Sequence, residues 1–414
     1  MKEMITIYFF FLATLAGNAQ TTDKDSIIVR KVADNVLKND AFQFEGIYNK
    51  QIYNSARDIP DAMAIKFKSS YAGWFYVNGV LNMAMVDLSN FMKDEKYVNH
   101  AIQHITFALD NYKYFKNRET LKVRRYPYRE LVNTKELDDC GAMGASVIEV
   151  YQKTNKPEFK DYIEKVANHI TNVQDRLADG TLVRKNPYPM TLWADDLYMS
   201  VPFLARMGKL TNNNKYYDDA IRQVLNFNSY LWDSRREIYY HCYYTDLKRN
   251  GVAHWGRCNG WIMCAQVHLL SMLPANYSKR DSIIKNLEKQ IVGVSRYQDI
   301  KGLWHQLLDK EDSYPESSCT AMFVYSIAKA VNEGWIDKRY ASIALMGWDG
   351  LKNNMITPEG QMKDVCIGTG IQNDLIFYYK RPAQIDDTHG IGSLIEAGIE
   401  IMKLKQKMGN RMYN

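Results

Sequence analysis

Across residues 281–296 the apolar side chains Ile284, Leu287, Ile291 and Val294 recur at three- and four-residue steps, with Lys285, Glu288 and Lys289 falling between them. That spacing predicts an amphipathic helix with one buried face. Tyr217, Ile221, Val224 and Leu225 mark a second helix of this kind. Residues 320–331 differ: they are apolar on nearly every face, and Gly334 follows as a stop. A helix so composed is buried all round. Residues 201–207 and 261–272 have the same character. Buried and amphipathic helices therefore alternate, as they would in a double ring with an inner and an outer layer. Strand signals are sparse, and only residues 238–244 (IYYHCYY) read as a short strand or hairpin arm, set within a loop.

A slower rhythm lies over the first. Polar and aromatic clusters centre on Trp74, Asp139, Asp196, Arg257, Glu316 and His389, roughly 60 residues apart, the length of one helical hairpin with its loops. Six hairpins fill the chain. If each cluster opens an inner helix, all six meet at one mouth. The expected fold is all-α, a single-domain (α/α)6 barrel.

Residues 1–19 carry a charged start at Lys2, an apolar stretch from Ile5 to Ala16, and small residues at Gly17 and Ala19. This is the pattern of a secretory signal peptide, too short for a comfortable membrane span. The mature chain, residues 20–414, is expected to be exported to the periplasm or beyond, with no stable membrane association after cleavage. No Pro/Gly/Ser-rich linker divides it, so one catalytic domain is expected. The formal charge of +6 is scattered among acidic residues without a Lys/Arg run, which excludes nucleic acid as a partner and at most favours anionic small substrates. The six cysteines form no CxxC pair; buried free thiols are expected and no zinc site is signalled. His100 and His104 have ligand-pair spacing, but the HExxH pattern is missing, so a packed helix face is the better reading. No metal or cofactor is expected.

The clusters carry the chemistry. Glu136-Leu-Asp138-Asp139 and Trp193-Ala-Asp195-Asp196 each place an acid pair ahead of an apolar helix. One acid of a pair can cap the helix and leave the other free for a cavity. Two such carboxylates across one pocket suit general acid/base work on sugars. His254-Trp255-Gly-Arg257-Cys-Asn259-Gly-Trp261 adds a guanidinium able to grip a carboxylate, stacking faces, and donors for hydroxyls. Trp74 and Tyr76 are further candidate platforms, with core packing the equally ordinary reading. Glu316 is a capping or pocket acid, and His389 lines the mouth or orients a loop.

At these motifs the chain resembles glycoside hydrolase family 105, the unsaturated rhamnogalacturonyl hydrolase group, with its relatives the unsaturated glucuronyl hydrolases. WADDLYMSVPFLARMGKL at 193–210, HWGRCNGW at 254–261, GLWHQLLD and YPESSCTAM within 302–322, ELDDCGAMG at 136–144, and YYKRP with DDTHG towards the C-terminus carry the likeness. Cys258 and Cys319 stand where the family commonly has a small residue. The resemblance implies the (α/α)6 barrel and release of a terminal unsaturated uronic acid from lyase-generated oligosaccharides. It matches the catalytic aspartate to Asp196 and the second working aspartate to Asp139. His241, Arg257 and Trp261 fall on substrate-contact positions, and Trp74, Tyr76, Asp195, His254, Trp255, Asn259, Trp304 and His389 complete the candidate binding set. Two other readings use the same residues: an inverting hydrolase of saturated sugars, and a glycan-binding protein without activity.

Overall fold

The computed structural model describes residues 24–60, 63–120 and 126–412; the expected signal segment, residues 1–19, lies outside them. Among the described residues, twelve helices of ten residues or more build the fold. In chain order they are α1 (Lys24–Asn39), α2 (Tyr76–Met92), α3 (Glu95–Thr120), α4 (Gly141–Thr154), α5 (Pro157–Asn168), α6 (Val201–Thr211), α7 (Asn214–Leu231), α8 (Gly256–Met272), α9 (Arg280–Ser295), α10 (Ser317–Asn332), α11 (Ala341–Gly350) and α12 (Thr388–Met412).

The even-numbered helices form a closed inner ring. Each contacts the next, α2 on α4, α4 on α6, and so on to α12, which packs back on α2. The outer helices α3, α5, α7, α9 and α11 each cover the inner helix that precedes them, and α1 covers α12, so the two ends of the chain share the sixth hairpin. This is the (α/α)6 barrel read from the sequence.

Composition explains the layering. In α8 every residue from Gly256 to Leu270 is buried, whereas α5 buries only Phe159, Tyr162, Ile163, Val166 and Ala167. The buried stripe of α9 starts at Ile283, one residue before the expected Ile284, which is only partly covered. Inner helices approach closely through glycine. A Cβ on Gly79 of α2 would lie 2.5 Å from the Ala142 carbonyl carbon of α4, and one on Gly260 of α8 would lie 2.7 Å from Met322 Sδ of α10.

Strands are more numerous than expected, with four small sheets among the described residues. They lie in the connections, where short extended pieces pair locally. One matters for the site: Thr191–Trp193 pairs antiparallel with Cys242–Tyr244. All six cysteines are free and buried, as expected. Among the described residues no helix is long and apolar enough to cross a membrane.

Candidate active site

Five inner helices begin at or just after a predicted cluster, at Tyr76, Gly141, Gly256, Ser317 and Thr388; the Asp195–Asp196 pair opens a short helix, Asp195–Tyr198, immediately before α6. Hydrogen bonds then tie the clusters together at that end of the barrel. Tyr76 Oη lies 2.7 Å from His389 Nε2, and His389 Nδ1 lies 2.5 Å from Asp387 Oδ1. Glu316 accepts from the backbone N–H groups of Ser318, Cys319 and Cys366, so it caps α10 and pins the Cys366 loop.

The strand pair positions the central carboxylate. Trp193 stands opposite Cys242, and the Ala194 N–H donates to the His241 carbonyl at 2.9 Å. This register sets Asp195 beside the His241 ring, with His241 Nε2 3.0 Å from Asp195 Oδ2 and Nδ1 2.8 Å from Tyr378 Oη. The neighbouring Asp196 turns the other way. Arg184 Nε donates to both its oxygens at 3.0 and 2.9 Å, while the two terminal nitrogens of Arg184 donate to Asp138 at 3.0 and 2.7 Å. The guanidinium lies 4.1 Å over the Trp193 ring.

Exposure separates these acids. The Asp196 side chain is 0% exposed, that of Asp195 13%, and that of Asp138 24%. Burial raises the Asp196 pKa to about 7, assisted by repulsion from Asp138 and Asp195 and opposed by Arg184. Burial also pushes Asp195 upward, but His241 foremost, then Arg184 and Arg257, outweigh it and hold its pKa below the usual carboxylate value. The partly exposed acid hydrogen-bonded to a histidine, Asp195, is better placed to exchange a proton with a substrate than the enclosed Asp196.

Asp139 does not join this group. Its Oδ2 accepts the backbone N–H groups of Lys135 and Glu136 at 2.7 and 3.0 Å, closing a capping box at the start of its turn. It lines a cavity of about 250 Å³ with Arg129, Glu130, Glu136 and Asn186. The acid that reaches Arg184 is its neighbour Asp138. Of two adjacent acids, one caps and the other is free, as anticipated, but the roles are reversed.

Other expectations are redistributed too. Arg257 is fully buried and donates to the backbone carbonyls of Cys366 and Ile367 and to Ser318 Oγ, with Trp255 4.5 Å beneath it. It holds the Cys366 loop through its terminal nitrogens, and its Nε has no partner among the described residues. Trp74 Nε1 donates to Tyr162 Oη at 3.0 Å, and Trp304 Nε1 to the Val294 carbonyl at 2.8 Å; both rings are buried core, so neither is a sugar platform. Asn259 braces the Tyr239 backbone, and His254 sits between Asp233 and Asp309. Trp255 anchors Gln306. Trp261 packs against Tyr198 and edge-on to Tyr76. Cys258 and Cys319 are fully buried. His100 and His104 are packed, against Asp40 and Asn82 respectively.

The structure thus gathers Tyr76, Asp195, His241 and His389 from the candidate set, with Arg257 and Trp261 close by. It adds Asp138, Arg184, Trp193, Tyr378 and Asp387. Arg184 lies in a loop without a local pattern to single it out.

A sequence profile described as Glycosyl Hydrolase Family 88 matches residues 48–405, most of the chain. The chain belongs to glycosyl hydrolase family 88. This family 88 chain is 23% identical over 276 residues to the unsaturated rhamnogalacturonyl hydrolase YesR of Bacillus subtilis strain 168, covering 64% of the chain and 77% of YesR. It is 28% identical over 176 residues to an unsaturated 3S-rhamnoglycuronyl hydrolase of Alteromonas sp. strain LOR, covering 41% of the chain and 42% of that protein; the likeness there spans less than half of either. Among solved structures, a possible member of the GH105 family from Salmonella enterica serovar Paratyphi A superposes with a TM-score of 0.74 at 24% identity, over 97% of this chain and 100% of that one. The family 88 barrel is therefore continuous across the chain, and the expected resemblance to family 105 holds.

Proposed function

We propose that this glycoside hydrolase releases a terminal unsaturated uronic acid from lyase-generated oligosaccharides by hydrating its C4=C5 double bond. The observation that carries the reading is Asp195: a partly exposed carboxylate hydrogen-bonded to His241 and close to Arg184, Arg257 and Tyr76, in a chain whose relatives include hydrolases named for unsaturated uronyl substrates.

The chemistry follows from the substrate. The C4=C5 bond is an enol ether conjugated to a carboxylate. A proton passes from the Asp195 carboxyl to C4, and positive charge develops at C5 and the ring oxygen. Water adds at C5 and returns a proton to Asp195. The hemiketal opens, and the glycosidic bond breaks as it does so. Asp195 must hold its proton when substrate is bound. A uronate beside it adds a like charge, which favours the protonated form. Asp138, partly exposed and held by Arg184, supplies negative potential for the developing cation.

A test is to follow the ultraviolet absorbance of unsaturated disaccharides made by lyases from pectin, ulvan and glycosaminoglycans. Hydration destroys the conjugated bond, so absorbance falls with turnover. An inverting hydrolase of saturated sugars would leave it unchanged, and a glycan-binding protein would bind without turnover. For residues 1–19, export with cleavage after Ala19 is our reading of the leader pattern; mass spectrometry of the exported protein checks it, and an intact Met1 in that material would overturn it.

A further inference from the structure

A second cavity, of about 440 Å³, is lined by residues from all six inner helices, each well past its helix start and away from the helix starts that carry Asp195 and its neighbours. Its size falls within the about 300–1,000 Å³ usual for small-molecule sites. Asp87, Arg206, His268, Tyr325, Glu396 and Lys403 are among its walls. None of these residues takes part in the chemistry described above.

Two polar groups there lack partners. Glu396 and His268 are each 3% exposed, yet Glu396 Oε1 and His268 Nε2 form no hydrogen bond. Such atoms are costly in a finished fold and mark where an outside partner belongs. The Arg206 guanidinium approaches His268 Nδ1 at 3.4 Å through both terminal nitrogens. Arg206 can only donate, so Nδ1 accepts and Nε2 carries the proton as a free donor. Burial first, and then repulsion from Asp87, raises Glu396 well above the usual carboxylate range, so it is a neutral acid able both to give and to take a hydrogen bond.

The remaining charges balance. Arg206 pairs with Glu149 at 2.7 Å, and Glu400 pairs with Lys403 at 2.8 Å and with Lys329 at 3.6 Å. Lys329 is also paired at 2.7 Å with Glu333, outside the lining; among the lining groups themselves Asp87, Glu149 and Glu400 match Arg206, Lys329 and Lys403, so the walls carry no strong excess of either sign. Phe91, Tyr325 and Ile399 supply apolar surface beside the free donor and acceptor. Apolar faces with a few placed hydrogen-bonding groups and no net charge suit a ring with hydroxyls.

From this we infer that the far end of the barrel is a second binding site, for a neutral, hydroxyl-rich molecule of monosaccharide size. The site is independent of the hydrolytic reading, since it shares no residue with it.

Calorimetric titration of the whole protein with D-galactose, L-rhamnose and D-glucose tests it, with inorganic phosphate and putrescine as charged probes. At least one neutral sugar should bind saturably, with affinity unchanged by Asp195→Asn and reduced at least tenfold by His268→Phe. Asn90→Trp, on the exposed rim, fills the cavity without touching the core and should abolish the same binding even if His268→Phe folds poorly. Binding lost in Asp195→Asn but kept in Asn90→Trp overturns the proposal. So does binding of phosphate or putrescine alone, or no saturable binding by any sugar.

Discussion

Single side chains decide which of four neighbouring acids does chemistry. Asp195 and Asp196 are adjacent, but one is partly exposed and meets His241 while the other is fully buried and enclosed by Arg184. Asp195→Asn should therefore lower kcat by about 10²–10⁴, the contribution of a placed acid/base, with the circular dichroism spectrum unchanged. Asp196→Asn should cost stability, on the order of 1–3 kcal/mol for a disturbed buried hydrogen-bonded pair, measured by denaturant unfolding. If the Asp196 variant loses turnover while the Asp195 variant keeps it, the roles assigned here are exchanged. Asp139 gives a pH test. Burial raises its pKa from 3.8 to about 6, against the two backbone N–H groups it accepts. The folded state then binds more protons than the unfolded state between those values, so stability falls as pH rises across that window. Relative to Asp139→Asn, the wild type should lose up to about 2–3 kcal/mol from pH 4 to pH 6, with kcat little changed. A flat difference curve would show that the capping carboxylate is not desolvated.

Among elements, the inner ring depends on how near its helices come. Gly79→Ala would ordinarily help a helix by about 1 kcal/mol through propensity. Here the new methyl would meet backbone of α4 at 2.5 Å, and backbone cannot move aside as a side-chain tip can. Overpacking of this kind costs about 1–3 kcal/mol, so the net change should be destabilising. Thermal melts of the variant decide the sign, and a rise in Tm would mean that the ring is looser than its geometry. The strand pair of Thr191–Trp193 with Cys242–Tyr244 is the other critical element. A one-residue slip in its register would turn Asp195 away from His241, which makes two loop segments as important to the site as any helix.

On the scale of the whole molecule, the ring is closed by its ends. Buried Asp25 of α1 accepts from Trp348 Nε1 at 2.8 Å and lies 3.1 Å from Lys352 Nζ, and Lys405 of α12 reaches it too. A chain starting at residue 40 would uncover the α12 face now packed on Val29, Val32 and Val36; it should melt more than about 5 °C lower or fail to fold cooperatively, and an unchanged melt would show that five outer helices suffice. The layered barrel was legible from the sequence because burial leaves a composition: helices covered on all sides must be apolar throughout, and covered-once helices must alternate. The six clusters at one mouth followed from the same periodicity, since each hairpin returns the chain to the same end. Which acid of each pair works did not follow. Asp138 and Asp139, or Asp195 and Asp196, are chemically alike and differ only in direction, and direction is set by Arg184 and by a strand register, both contacts between segments far apart in the chain. For the same reason Trp74, Trp304 and Asn259 read as ligands in a linear motif and prove to be core, because only packing in three dimensions determines which side of a ring meets solvent.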